Sequence, residues 1–510
     1  MNKALMLSLM PVNLQNKRPE VAVIGSGFAG ISAAAYLAKG GCSVDVFEKN
    51  TTIGGRARQY HTNNGYTFDM GPSWYWMPEI FEKFFADFGH KPSDFYQLQL
   101  LDPGFSIIYG KNDVLNVPAS FDQLVELFES IEKGSADKLK KFMTEASYKY
   151  KTGMGKLVYK PGLSLWEFAD FSLFKGLFKL QVFTSFSKHV RKYFKDPRLI
   201  ALMEFPVLFL GAMPDQTPAL YSLMNYAGLC LGTWYPQGGF GKVIDAMKQV
   251  AEEQGVVFHT DDEVDKLMIE DSCIKRLITQ KHIKSYTGVV AAADYHYVEK
   301  NLLSAEYRNY SEEYWDKRVM APSALIFYVG VKKKINKLRH HNLFFDEDLQ
   351  QHAYEIYKQP NWPQKPLFYV CCASKTDPLV APAGHENLFI LMPLAVGLED
   401  SEDMRERYFE LIMDRLEAYT TEDIRNSMDY KKSYCIKDFI QDYHAYKGNA
   451  YGLANTLMQT AHLKPSVKNK SIGNLFYAGQ LTVPGPGVPP AIISGQIAAG
   501  QLLNHLEGTI

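Results

Sequence analysis

Cysteine is scarce in this chain, with six among 510 residues, at 42, 230, 273, 371, 372 and 435. So few in so long a sequence exclude a disulfide framework. None forms Cys-x-x-Cys or a Cys/His cluster with zinc spacing, so all six read as buried thiols. Cys371 and Cys372 are neighbours in an apolar run, and on a strand they point to opposite faces. An excess of either charge is also missing. Lys+Arg number 55 and Asp+Glu 56, for a net charge of −1. That balance argues against a nucleic-acid partner. No long apolar run is present. The longest, Leu199 to Met213, is broken by Glu204 and Pro206 and falls short of the ~18 residues a membrane span needs. Residues 1–19 carry only a short apolar stretch after Lys3, with no clean cleavage site, and read as a disordered leader. The usual catalytic motifs are absent too: there is no nucleophile elbow, no metal motif and no closely spaced carboxylate pair. His340-His341 reads as an exposed pair in a charged loop.

Apolar residues make up 46% of the chain, enough with this length to bury a core and exclude disorder. At roughly 100–200 residues per domain, two to four domains are expected.

The strongest pattern starts at Glu20. The β-branched run 21–24 reads as a buried strand. Gly25-Ser26-Gly27-Phe28-Ala29-Gly30 follows, then a helical stretch to Ala38, a second strand at 43–47 and an acidic Glu48. This βαβ unit fits a dinucleotide. Gly25 permits the tight turn, Gly27 lets backbone approach a pyrophosphate, and Gly30 lets helix and strand pack closely. The helix N-terminus offers free N–H groups to phosphate. Glu48 can accept hydrogen bonds from a ribose diol.

FAD and NAD share that unit, and the next residues separate them. Gly54-Gly55-Arg56 comes five residues after Lys49, and Asp69-Met-Gly71-Pro72-Ser73 comes later. The spacing resembles the flavin amine oxidase and carotenoid desaturase superfamily. The resemblance implies that Gly54, Gly55 and Arg56 run past the FAD pyrophosphate and that 69–73 approaches the flavin. A second block, Tyr235 to Gly241, leads into an amphipathic helix bearing Val243, Ile244, Met247 and Val250, followed by strands at 256–259, 263–269, 274–278 and 288–293. By the same resemblance, Val264 makes the backbone contact to the adenosine. A third block, Gly479-Gln480 to Gly487-Val488-Pro-Pro490, joins a strand to a C-terminal helix, whose N-terminus can stabilise charge on a reduced ring.

This C-terminal block is similar to the signature of bacterial-type phytoene desaturases. It departs from the common form at Gln480, where a small residue is usual, and at Val483, where His is frequent. The match covers nearly the whole chain. It implies an α/β fold: a Rossmann-type FAD-binding domain from 20–90, 235–300 and 471–510, with a discontinuous α+β substrate domain from 91–234 and 301–470. The implied cofactor contacts are Gly25 to Gly30, Glu48, Lys49, Gly54 to Arg56, Gly71 to Ser73, Val264, Gly479, Gln480, Gly487 and Val488.

In the substrate half, 157–213 interleaves aromatics (Trp166, Phe171, Phe178, Phe186) with Lys175, Lys188, Arg191 and Lys192. Two readings stand: core helices with solvated lysines, or a monotopic surface that dips into lipid headgroups. Strands at 324–331, 367–372 and 387–394 and a helix capped by Ser401 complete this half.

The resemblance implies FAD-dependent desaturation of phytoene toward lycopene, by hydride transfer from a substrate carbon. The partners it implies are a carotenoid hydrocarbon, oxygen or a quinone as electron acceptor, and the inner face of the cell membrane as a peripheral, cytoplasmic location. Abundant Phe and Tyr without an acid/base motif suit a hydrocarbon channel. Other readings are a hydroxycarotenoid desaturase, a polyene isomerase or saturase, a flavin amine oxidase, and a carotenoid-binding flavoprotein without catalysis.

Overall fold

The computed structural model describes residues 18–164, 167, 181, 183–208 and 211–508. The leader to residue 17, and most of the aromatic and basic run from 165 to 182, lie outside them.

Short runs of β-branched residues buried on both faces make parallel strands. Five such strands form one sheet, in the spatial order Leu475–Tyr477, Gly288–Ala291, Glu20–Ile24, Ser43–Phe47 and Val257–His259. The sheet therefore gathers strands from three distant parts of the chain. Helix Phe28–Lys39 packs against helix Val488–Glu507 on one side and helix Phe240–Glu253 on the other. Val243, Ile244, Met247 and Val250 are all buried in that core, as the amphipathic pattern requires. The two terminal helices approach very closely. A Cβ built on Gly495 would lie 2.2 Å from the Ala29 carbonyl oxygen. The sheet's other face is closed by Tyr295, Trp315 and Tyr477, and by the hairpin of Val264–Glu270 and Cys273–Thr279.

A second sheet has seven strands, in the order Met428–Tyr434, Ser323–Val331, Glu386–Leu394, Phe368–Cys371, His341–Phe344, Phe105–Gly110 and Asp113–Val117. All neighbours are antiparallel except His341–Phe344 against Phe105–Gly110. Side chains alternate between two cores. Cys371 joins the core that faces the helices of 121–229, and Cys372 joins the core under helix Glu402–Thr420. That helix is capped as its sequence suggests: the Ser401 hydroxyl accepts from the Met404 N–H. All six cysteines are free thiols; Cys42, Cys371, Cys372 and Cys435 are buried as expected, whereas Cys230 and Cys273 are only partly buried.

One expectation is overturned. His340 and His341 are not exposed. Their side chains are buried, and His341 opens an interior strand of the seven-stranded sheet. Exposed Lys337 and Arg339 just before them mark only the loop that leads into it.

Part of 157–213 is plainly core. Phe186 and Phe194 are buried, and Arg191 pairs with buried Glu204. Phe183, by contrast, is 78% exposed. Among the described residues, no helix is long and apolar enough to cross a membrane.

Candidate active site

One cavity of about 1070 Å³ runs between the two sheets. At one end it is walled by backbone. Gly25 has φ +97°, a value only glycine adopts without strain, and its N–H donates to the Phe47 carbonyl at 2.8 Å. Gly54 and Gly55 also have positive φ, and the Gly54 N–H donates to the Ser26 carbonyl at 2.9 Å. That bond draws the Gly-Gly-Arg turn against the first glycine loop. A Cβ on Gly27 would meet no protein atom closer than 3.9 Å, so it would project into the cavity.

All the implied cofactor contacts except Gly30 line this one cavity. Gly30 stands behind the wall, where a Cβ would strike the Gly25 carbonyl oxygen at 1.9 Å. Its work is packing, which keeps the turn and the helix in register. Gly71 is similarly confined, with its Cβ position 2.6 Å from the Arg56 carbonyl oxygen. The strand residue Asp69 does not reach the cavity wall. Its carboxylate accepts from the Phe240 N–H at 3.0 Å and from Gln59 at 2.9 Å, so it caps the helix that starts at Phe240. Burial, with Asp377 nearby, pushes that carboxyl up to about 6.

Glu48 is buried and already engaged. One oxygen accepts from the Ser26 N–H and hydroxyl at 3.1 and 2.7 Å, and the other from the Asn50 N–H and side chain at 2.9 and 2.8 Å. A ribose diol would take the place of the Ser26 hydroxyl. The Lys49 ammonium donates to the Gln441 carbonyl at 2.5 Å. Val264 and Glu263 line the cavity at the same end as Glu48.

The Arg56 guanidinium lies over the Tyr443 ring at 4.9 Å and donates to the Asn449 carbonyl at 3.3 Å. Its Nε is shielded and has no partner. A cationic group with an open donor, beside two glycine loops and the start of helix Phe28–Lys39, is a donor set for pyrophosphate. At the far wall, Gly479 has φ +114° and open space at its Cβ position, and Gly487 caps the C-terminal helix with φ +113°. Gln480 donates to the Asn449 side chain at 2.9 Å, and the carbonyl of that same Asn449 accepts from Arg56. These residues fit a dinucleotide, and Gly479 to Val488 would stand by its ring system.

Beyond the glycine loops the wall becomes hydrocarbon and aromatic: Trp74, Trp76, Phe205, Met224, Phe345 and Leu391. Its polar members are mostly engaged by protein. His352 accepts from the Leu367 N–H at 3.0 Å on Nδ1 and meets the Pro393 carbonyl at 3.1 Å on Nε2. Burial holds it near 4, so it is neutral.

Some lining residues carried no sequence signal. Helix Ile436–Tyr443 brings Asp442 and Tyr443 to the cofactor end, and Arg58 pairs with Asp442 at 2.6 Å. Tyr357, Tyr369, Tyr451 and Asn455 come from segments without a motif. Only the topology brings them together.

A family model described as flavin containing amine oxidoreductase matches residues 28–503. The chain belongs to the flavin-containing amine oxidoreductase family. Its cofactor is FAD. The fold is the family's α/β FAD-binding fold. A putrescine oxidase structure superposes with a TM-score of 0.63 at 12% identity, covering 96% of this chain and 99% of that one. An oxidoreductase from Methanosarcina mazei gives 0.59 at 17%, covering 94% and 99%. Among curated proteins, a carotenoid 3,4-desaturase of Haloarcula japonica is 38% identical over 488 residues, covering 96% of this chain and 98% of the relative. A 4,4'-diapophytoene desaturase of Staphylococcus haemolyticus is 30% identical, covering 96% and 99%. A zeta-carotene-forming phytoene desaturase of Myxococcus xanthus is 27% identical, covering 98% and 96%.

Proposed function

We propose that the protein is an FAD-dependent carotenoid desaturase and that its bond of choice lies at the 3,4 position, near a carotenoid's end. The observation that carries desaturation of a hydrocarbon is the cavity itself, which passes from a dinucleotide cradle directly into an apolar, aromatic wall. A polyene has no charge to recognise, so such a site binds it by apolar area and shape. The choice of position is supported by the 38% identity to a 3,4-desaturase, against 30% and 27% for the diapophytoene and phytoene enzymes.

Bound FAD supplies the two-electron acceptor for a hydride from carbon. The chain's own residues do the remaining work. The glycine loops and Arg56 fix the cofactor's phosphates. Trp74, Trp76 and Phe205 hold the polyene and keep out water. Gly479 to Val488 present open backbone and a helix N-terminus that would stabilise negative charge on a bound, reduced ring. Oxygen or a quinone would serve as the terminal electron acceptor.

The substrate dissolves in lipid, so the same proposal puts the protein on a bilayer surface. Phe183 and Leu463 line the cavity and are 78% and 45% exposed. Met458 and Leu163, 69% and 40% exposed, flank them, and the His462 ring nitrogen meets the Gly162 carbonyl at 3.0 Å, tying the two segments together. This apolar rim is continuous with the cavity, as an opening toward lipid requires.

A second reading, stepwise dehydrogenation of phytoene toward lycopene, is favoured by the diapophytoene and phytoene desaturase relatives. Purified holoprotein with vesicles carrying either phytoene or a carotenoid saturated at C3–C4 separates the two. A 3,4-desaturated product with phytoene untouched is the expected result. Lycopene-series products from phytoene would move the assignment to the second reading. Peroxide release with amines and no carotenoid product would overturn both.

A further inference from the structure

In the apolar reach of the cavity a pair of hydroxyls is connected to a buried imidazole. Ser73 and Tyr369 both line it, and their hydroxyls lie 3.0 Å apart. Behind them, the Tyr369 hydroxyl meets Nδ1 of His341 at 2.5 Å. His341 is fully buried and stacks on Trp74, with centroids 4.1 Å apart and planes at 8°. Its Nε2 has no partner. A buried imidazole nitrogen left without a hydrogen bond is destabilising, which a purely structural role leaves unexplained.

Resting on the desaturase reading, we propose that Tyr369, oriented by Ser73 and backed by His341, takes the proton that dehydrogenation releases. Making one C=C bond removes two hydrogens from adjacent carbons. One leaves as hydride, carrying its electron pair to the flavin. The other leaves as a proton, and its C–H bonding pair becomes the π bond. That proton goes to the Tyr369 oxygen while the tyrosine's own proton passes to His341 Nδ1. The resulting imidazolium lies on the Trp74 face, where a ring quadrupole stabilises a cation. Reoxidation by oxygen or a quinone consumes a proton, which returns along the same chain.

A weak base suffices here. Hydride loss leaves an allylic cation, and the neighbouring C–H of such a cation is strongly acidic. The titratable groups facing His341 are His340 from the preceding residue and Tyr369 and Cys371 from the adjoining strand. Asp69 lies beyond, close to Cys371. Burial and His340 hold the His341 imidazole well below its ordinary range, so it is neutral and ready to accept. His341 stands behind the wall, and the imidazoles that line the cavity are placed differently: His352 has both nitrogens engaged, His444 bonds Glu263 at the cofactor end, and His462 stands by the exposed rim. Among the described residues, Ser73–Tyr369–His341 is the hydroxyl chain that joins the hydrocarbon wall to an imidazole.

The test is anaerobic stopped flow with the holoprotein and carotenoid-loaded vesicles, following flavin bleaching and polyene absorbance together. In the native protein the two signals move together, and the rate falls at low pH, where His341 is protonated before turnover. In Tyr369→Phe, flavin bleaching persists while the product signal lags by roughly 10²–10⁴-fold, the range of a lost acid–base group. His341→Asn keeps a partner for the hydroxyl but loses the low-pH limb. Ser73→Ala, the mildest change, slows the product step several-fold, as loss of about one hydrogen bond implies. Flavin content and melting temperature confirm that each variant folds. Native-like product formation and pH profile in all three variants would overturn the relay while leaving the desaturase reading intact. Stoichiometric metal by elemental analysis, held by the adjacent His340, His341 and Cys371, would also overturn it. If the native flavin fails to bleach with any carotenoid, the desaturase reading and the relay fall together.

Discussion

Two glycines in the last helix, Val488–Glu507, should respond oppositely to the same substitution. By helix propensity alone, Gly→Ala inside a helix stabilises by about 1 kcal/mol. At Gly500 nothing lies within 4 Å of the added carbon, so propensity acts unopposed. At Gly495 the added carbon would lie 2.2 Å from the Ala29 carbonyl oxygen and 2.8 Å from the Ala33 nitrogen. Both are backbone atoms of helix Phe28–Lys39, so no side chain can rotate away and the helices must separate. Overpacking of this kind costs about 1–3 kcal/mol, and a backbone clash belongs at the upper end. The expected net effects are about 1 kcal/mol of stabilisation for Gly500→Ala and about 2 kcal/mol of destabilisation for Gly495→Ala. With an unfolding entropy near 2.1 cal/mol/K per residue, a chain of this length shifts its Tm by about 1 °C per kcal/mol when it melts as one unit, and by more if the nucleotide-binding half melts alone. Thermal melts of the holoproteins at one scan rate give the comparison. A Gly495→Ala protein that melts at or above the native temperature would refute the reasoning, because close helix contact would then not be what keeps Gly495 a glycine.

Gly27→Val should abolish FAD retention without unfolding the chain, because its side chain would enter the cavity rather than the core; flavin absorbance per mole of purified protein measures this. Asp69→Asn should destabilise in a pH-dependent way. The native carboxyl titrates near 6 when folded and at the ordinary lower value when unfolded. Its stabilising contribution is therefore fully present below the unfolded value and is lost as pH rises through 6. The variant's deficit, read from denaturant midpoints, should be largest near pH 4 and shrink by pH 7.5. Replacing exposed Phe183, Met458 and Leu463 with Ser should reduce co-sedimentation with vesicles. Arg191→Gln should act through fold stability instead, since Arg191 pairs with buried Glu204.

The sequence was informative where a local rule forces a residue type. Glycines at a strand–helix turn, an acid closing the second strand and alternating apolar runs all have short-range causes, and each strand and helix tied to those motifs lies within a few residues of its expected place. The hydrocarbon end of the site was far less legible. Tyr369 and His341 meet through the pairing of two neighbouring strands, and Ser73 reaches them from a loop almost three hundred residues earlier. His340 and His341 misled because the charged residues before them belong to a surface turn, whereas burial is decided by the strand's place in the sheet. The close contact at Gly495 was also invisible, since a glycine in a helix looks the same in sequence whether it packs or faces solvent.

The proposed function has a carotenoid deliver electrons to the bound flavin. Its most direct test mixes the purified, oxidised holoprotein with carotenoid in vesicles under anaerobic conditions. The expected result is bleaching of the flavin absorbance in proportion to carotenoid converted, with the carotenoid band moving to longer wavelength as conjugation extends. A flavin that stays oxidised with every carotenoid offered, yet bleaches with dithionite, would contradict the account.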